Sequence, residues 1–310
     1  MEFGLFTGMQ GRTWSGLLEL WRHLEATGWD VACLTDHLVP VGPTREGMNP
    51  EALSSLSALA ALVPRIRLGT IVLSNTFRHP ALLAKMAAQI DIVSGGRLLL
   101  GLGTGWYPGE HDAYGIPLPP MRERLERLDE ACQVIRSLWT QHRSTFKGRY
   151  YQLSDAPLDP KPVQAPPPLM IGGGGEHVTL RLVAAHANVC NFFGGPKTFA
   201  RKSVILDQHC AAIGRDPKTL KRSVNLFLLL STDQREIDRL AEAAAALIGN
   251  HVSDPHDACL AGTPEQIRER LRQLRTAGVD TVFIPTMFRP LPELRRDLDR
   301  FISEIAPEFR

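Results

Sequence analysis

Short apolar runs alternate with longer stretches of helical periodicity from one end of the chain to the other. This is the pattern of repeated βα units around a parallel sheet. Eight apolar runs stand out, at residues 3–6, 31–34, 66–73, 98–102, 169–171, 189–193, 225–230 and 281–284. Eight such strands predict an α/β protein of the closed (β/α)8 (TIM) barrel type rather than an open doubly wound sheet. The length of 310 residues would by itself suggest about two domains. A barrel of this size forms one, so residues 1–310 are read as a single domain.

Helix signals sit between the runs. Thr263 is a cap, Pro264 suits a first turn, Gln266 completes a capping box and Gly278 closes the helix, whose apolar stripe is Ile267, Leu271 and Leu274. A second stripe of Met121, Leu125, Leu128, Cys132, Ile135 and Trp139 predicts a long core-facing helix after the fourth strand. Between it and Leu169 lies a segment rich in Tyr and Pro, with Tyr150-Tyr151 and the prolines from Pro160 to Pro168. It is too long for a simple connection and reads as an insertion between strands four and five that crosses the barrel.

Composition adds mostly exclusions. With 44% hydrophobic residues and a formal net charge of +2, the chain can bury a large core and implies no nucleic-acid partner. The densest basic patch, Arg268 to Arg275, falls on the polar side of a predicted helix and reads as a solvated face. The five cysteines are scattered, with no Cys-x-x-Cys pair, which suggests reduced thiols in a cytoplasmic setting. The N-terminal residues lack a basic region followed by an apolar run, and no stretch approaches the roughly 18 apolar residues of a membrane span.

Barrel active sites lie at the C-terminal ends of the strands, and four places there carry polar or glycine-rich residues. In Thr35-Asp36-His37 a carboxylate and an imidazole follow a buried strand; the histidine reads either as a loop hydrogen-bonder or as a catalytic group. After the third strand, Ser74, Asn75 and Arg78 interrupt an otherwise apolar stretch, while Pro80 fits the start of a helix. In Gly101-Leu102-Gly103-Thr104-Gly105-Trp106-Tyr107, the glycines allow a planar ligand close to the backbone and Trp106 can wall a pocket. Gly172-Gly173-Gly174-Gly175, before a helix expected to begin near Glu176, reads as a tight turn or as a phosphate-binding loop at a helix N-terminus. No Lys-Ser/Thr pair follows it, which excludes a nucleotide-hydrolysing P-loop.

A metal hydrolase is the rival among barrels, through Asp36, His37, His79, Glu110 and His111. The first strand ends in Phe6-Thr7-Gly8 with no His-x-His pair, and no His-Glu-x-x-His helix occurs. No metal is therefore expected.

Taken in order, these places resemble the bacterial luciferase-like monooxygenase superfamily, and within it the F420-dependent oxidoreductases. The most specific stretches are Thr35-Asp36-His37, Pro64 to Thr70, Arg78 to Lys85, Ser94-Gly95-Gly96-Arg97, Gly103 to Tyr107 and Gly262-Thr263-Pro264-Glu265. The resemblance implies a deazaflavin or flavin ring in the barrel mouth, its phosphate on Gly172 to Gly175, and a non-prolyl cis peptide near Ile71-Val72. It places Asp36 and His37 beside the ring, with Ser74, Asn75, Thr104 and Gly105 as further cofactor contacts. Catalysis would fall to His37, Asp36 and Glu110, and the substrate pocket to Trp106, Tyr107 and His111. Trp106 stands where the sugar-phosphate dehydrogenases carry an acid, which argues against a sugar phosphate as substrate.

The expected cofactor is coenzyme F420, with FMN as the alternative. The first implies hydride transfer to or from a small organic substrate, the second monooxygenation. A reading of another class is a non-catalytic flavin-binding protein, against which the rim acids and bases argue. The resemblance also implies a homodimer and a separate reductase supplying reduced F420 or flavin. Specificity is expected in loops that include residues 39–48 and 251–259.

Overall fold

The computed structural model describes every residue except Pro43, Thr44, Asn250, His251, Ser253, Phe288 and Pro290, and the side chain of Leu247. Pro43, Thr44, His251 and Ser253 belong to the two expected specificity loops, and that part of the expectation lies outside the described residues.

The first third of the chain forms β1 (Glu2–Thr7), α1 (Trp14–Thr27), β2 (Val31–Leu34), α2 (Ala52–Leu62), β3 (Arg67–Thr70), β4 (Leu73–Ser74), α3 (Pro80–Ser94) and β5 (Leu98–Gly103). Then come α4 (Pro108–Tyr114), α5 (Met121–Thr140), the strands β6 (Arg143–Lys147) and β7 (Gln152–Pro157), and β8 (Leu169–Gly172). The remainder holds α6 (Thr179–His186), β9 (Val189–Phe193), α7 (Pro196–Ala212), β10 (Lys221–Asn225) and β11 (Phe227–Leu230). It ends with α8 (Gln234–Ile248), β12 (Cys259–Gly262), α9 (Pro264–Ala277), β13 (Thr281–Pro285) and α10 (Leu291–Arg300).

Nine strands form one sheet in the order β3-β2-β1-β13-β10-β9-β8-β5-β4, and β3 also pairs with β5. Because β3 and β4 are two parts of one strand interrupted at Ile71 and Val72, the result is a closed eight-stranded parallel barrel with surrounding helices. Seven of the eight apolar runs fall on barrel strands. The eighth differs: the barrel strand is Lys221–Asn225, and Phe227–Leu230 pairs with Cys259–Gly262 in a separate two-stranded sheet.

The chain divides into two compact units, one of Met1–Gly8, His23–Cys33 and Gly173–Arg310, the other of Met9–Arg22 and Leu34–Gly172. In the first, Phe301 packs edge-on against Phe3 at 5.1 Å and stacks on Trp29 at 6.1 Å. A satellite core under α8 gathers Phe227, Leu229, Leu240, Ala244 and Cys259. The capping box of Thr263 and Gln266 forms as expected, and Gly278 closes α9 at φ 95°.

In the second unit, α5 buries Leu128, Cys132, Ile135 and Trp139, whose indole donates to Ala84 O at 3.0 Å. Met121, expected on that stripe, is exposed because it opens the helix. Ser94-Gly95-Gly96-Arg97 has a structural use. Gly95 and Gly96 take φ 67° and 83°, conformations that favour glycine. The turn they make lets Arg97 donate to the carbonyls of Ala60, Val63, Ile66 and Ser94, closing the C-terminal ends of α2 and α3. The segment before β8 contains the antiparallel hairpin β6–β7. Asp91 on α3 pins the end of that segment by accepting from the backbone and side chain of Gln164 at 2.9 and 2.7 Å.

Candidate active site

The residues after β2, β4 and β5 in the second unit converge. The Asp36 carboxylate is buried and engaged on both oxygens. Oδ2 accepts from Ser74 N–H at 2.9 Å and Arg78 Nη1 at 2.7 Å, while Oδ1 accepts from Arg78 Nη2 at 2.9 Å. Arg78 reaches on to Glu51 Oε1 at 2.6 Å, and Glu51 caps α2 through the Leu53 and Ser54 N–H groups. Burial works to lower the Arg78 pKa, but the hydrogen bonds and charges of Asp36 and Glu51 hold it above its ordinary value. Asp36, expected as a catalytic group, thus has both carboxylate oxygens engaged by Arg78 and the end of β4.

His37 stands differently. Its side chain is 21% exposed, and Nδ1 lies 3.1 and 3.2 Å from the two oxygens of Glu110. Glu110 also accepts the Leu38 N–H at 2.9 Å and is almost fully buried. It reaches this place from α4, a two-turn helix opened by Pro108 and closed by Gly115 at φ 64°. Because carboxylates accept from the N–H form of Nδ1, the neutral imidazole carries its lone pair on Nε2. Trp106 meets the His37 ring edge-on at 5.7 Å and is 51% exposed, as a wall rather than a core residue.

Of Tyr107 and His111, both expected in the substrate pocket, Tyr107 has its ring 6.5 Å from that of His37 and 5.5 Å from that of Trp106. The Tyr107 hydroxyl donates to Gly42 O at 2.9 Å. His111 is buried, with Nδ1 2.8 Å from Tyr107 O and Nε2 2.7 Å from Thr76 Oγ1. Thr104 and Gly105 follow β5, and Thr104 Oγ1 donates to Gly105 O at 3.3 Å. Asn75 is buried, and its Oδ1 has no partner.

The Ile71-Val72 peptide is cis. Ile71 N–H donates to Leu34 O at 2.8 Å, and the Val72 side chain lies between two glycines. A Cβ on Gly103 would come within 2.6 Å of Val72 Cγ2, and one on Gly172 within 2.7 Å of Cγ1. These glycines accommodate Val72, so Gly172 has a packing use at the end of β8.

In the first unit, the three remaining glycines form a loop, and α6 begins at Thr179 rather than near Glu176. Gly173 N–H donates to Asn191 O at 2.9 Å, so an anion at this loop would meet the N–H groups of Gly174 and Gly175. Beneath them lies Lys202, only 3% exposed, which donates to Gly174 O and lies 3.4 Å from Glu176 Oε1. Burial, with the charge of Arg201 adding, pushes its pKa down to about 8. Sequence reading missed Lys202, since Arg201-Lys202-Ser203 looks like a solvated helix face. It also missed the cap Glu51 and the hydroxyl of Thr76.

Among the described residues there is no group of three or more His, Cys, Asp or Glu able to hold a metal, and no helix long and apolar enough to cross a membrane. The five cysteines are buried, with no disulfide between them.

A family model described as luciferase-like monooxygenase matches residues 1–257. An F420-dependent glucose-6-phosphate dehydrogenase of Intrasporangium calvum is 30% identical, the alignment covering 92% of each chain. The corresponding protein of Kineococcus radiotolerans is 34% identical over 67% of this chain and 62% of its own length. Among solved structures, an F420-dependent secondary alcohol dehydrogenase in complex with an F420–acetone adduct superposes with a TM-score of 0.85 at 21% identity. It covers 100% of this chain and 99% of that one.

Proposed function

Because the chain belongs to the luciferase-like monooxygenase family, we propose that it is an F420-dependent oxidoreductase that transfers a hydride between the deazaflavin C5 and a small organic substrate. The observation that carries this reading is the His37–Glu110 pair, a partly exposed imidazole held by a buried carboxylate. F420-dependent relatives of the chain support the choice of cofactor.

The residues present fit such a ring. Asn75 Oδ1 is a buried acceptor with no partner, and a buried acceptor without a donor is unfavourable. The imide N–H of a flavin-type ring would satisfy it. Ser74, Asn75, Thr104, Gly105 and the Ile71-Val72 peptide would hold the ring. A phosphate group would be met by the N–H groups of Gly174 and Gly175, with the Lys202 charge beneath them. When bound, F420 supplies C5 as the hydride acceptor or donor.

His37 handles the proton that accompanies hydride transfer. With Nδ1–H on Glu110, Nε2 is the atom that takes a proton from a substrate hydroxyl, or returns it in the opposite direction. Glu110 stabilises the imidazolium so formed. Asp36, through Arg78 and the Ser74 N–H, keeps the strand ends that carry these groups in register, and Trp106 walls the side of His37.

The family description itself names a monooxygenase, which favours FMN as the second reading. Titration of the purified protein with each cofactor separates the two. F420 binding and reduction or oxidation at C5 with a bound substrate is the expected result. Tight FMN binding with no F420 binding would overturn the proposal.

A further inference from the structure

Behind the end of β4, the side chain of Ser74 is tied to those of Thr76 and His111, two residues that the proposed chemistry does not use. Ser74 Oγ and Thr76 Oγ1 are 2.6 Å apart, Thr76 Oγ1 is 2.7 Å from His111 Nε2, and His111 Nδ1 is 2.8 Å from Tyr107 O. A carbonyl oxygen only accepts, so Nδ1 must carry the proton. In the neutral ring Nε2 is then a lone pair, and Thr76 must donate to it. Each hydroxyl has one proton, so Ser74 must in turn donate to Thr76. What remains on Ser74 Oγ is lone pairs alone.

The arrangement is tightly enclosed. His111 is 1% exposed. A Cβ on Gly105 would come within 2.4 Å of Ser74 Oγ and 2.9 Å of Thr76 Oγ1, so glycine is what leaves room for the two hydroxyls to meet. Next to Ser74, the buried Asn75 Oδ1 is a second acceptor and has no partner. Two consecutive residues at one strand end therefore present acceptors and call for a donor.

We propose that His111 is a positioning residue which, acting through Thr76, fixes Ser74 as a hydrogen-bond acceptor, so that the end of β4 selects a ring edge bearing an N–H donor. This rests on the reading of Ser74 and Asn75 as cofactor contacts. The imide N–H of an isoalloxazine or deazaflavin ring has the required chemistry. A carbonyl-only edge would face lone pairs and be rejected.

The test has two arms. In the first, histidine-15N-labelled full-length protein is examined without cofactor, the His111 signals being assigned by their loss in His111→Phe. The Nδ1–H tautomer is expected, and an Nε2–H tautomer overturns the direction of the chain. In the second, F420 and FMN are titrated by absorbance into wild type, Ser74→Ala, Thr76→Val, Thr76→Ser and the Ser74→Ala/Thr76→Val double variant, all checked for folding by circular dichroism.

For whichever cofactor binds, Ser74→Ala should weaken affinity about tenfold and Thr76→Val severalfold. Thr76→Ser should match wild type. The double variant should be no weaker than Ser74→Ala, because Thr76 acts only through Ser74. Additive losses, or an unaffected Thr76→Val, overturn the proposal. Wild type that takes up neither cofactor overturns the ring reading and the ligand half of this inference with it. The tautomer result decides the direction of the chain in either case.

Discussion

Glu110 and His37 lie 73 residues apart in the chain, yet the Glu110 carboxylate sits 3.1 Å from His37 Nδ1 and also accepts the N–H of Leu38. One buried carboxylate therefore fixes the orientation, the tautomer and the backbone of the proposed proton-transfer residue. Removing the imidazole should leave the cofactor site largely intact. His37→Ala is expected to lower kcat by ~100-fold or more, the scale of a lost general acid or base, with cofactor affinity near that of wild type. Unchanged turnover would reduce His37 to a loop residue. Glu110→Gln preserves shape but removes the charge, and its kcat should fall while the melting midpoint moves little.

Asp36 and Arg78 lead to the opposite expectation. Their ion pair is buried, with Asp36 enclosed and Arg78 13% exposed. Removing one partner leaves the other charge uncompensated, at a cost of ~3–5 kcal/mol. Arg78→Met should accordingly shift the denaturant midpoint strongly, and the melting transition with it. A variant as stable as wild type would show that the Asp36 charge does not depend on Arg78.

These two pairs also mark what the sequence could and could not convey. Asp36 and His37 were legible as a pair at a strand end, but that Arg78 and Ser74 hold the one and Glu110 the other depends on partners at β4, after it and on α4. Periodicity located seven barrel strands because their residues are apolar. It misplaced the remaining one because Lys221–Asn225 turns Ser223 and Asn225 into a polar network with Asn191. There the two amides pair reciprocally at 2.8 and 2.9 Å, and Ser223 donates to Cys190 O at 2.7 Å. Buried polar groups that satisfy one another look like a loop when read one residue at a time. The glycine run looks uniform in sequence, yet its members differ: Gly172 packs on Val72 and Gly173 N–H is bound to Asn191 O.

Lys202 makes the glycine loop sensitive to pH. Its folded pKa of about 8 lies below the ordinary value of 10.5, so the folded state disfavours its protonated form. The resulting penalty is fully present below pH 8 and disappears as pH rises toward 10.5. Relative to Lys202→Met, wild type should gain stability across that window, by on the order of 2–4 kcal/mol. Anion binding runs the other way, because the charge under Gly174 is lost above pH 8. Phosphate or cofactor affinity should therefore fall through that range in wild type and stay flat in Lys202→Met. Chemical denaturation at stepped pH reads the first effect and equilibrium titration the second.

Gly105 offers the sharpest backbone test. At φ 77° it occupies a conformation that L side chains rarely adopt, and a Cβ there would meet Ser74 Oγ at 2.4 Å and Thr76 Oγ1 at 2.9 Å. Gly105→Ala thus combines left-handed strain with overpacking, together ~2–4 kcal/mol. Gly115, at φ 64° with open space where a Cβ would stand, is the control: Gly115→Ala carries the strain alone and should lose only ~1 kcal/mol. If steric pressure on the two hydroxyls is what distinguishes the positions, Gly105→Ala should also weaken cofactor binding, and combining it with Thr76→Ser should recover part of the loss, because the missing methyl gives the hydroxyl room to move. Equal destabilisation at the two glycines would show that backbone conformation, and not the Ser74–Thr76 contact, is what requires glycine after Thr104.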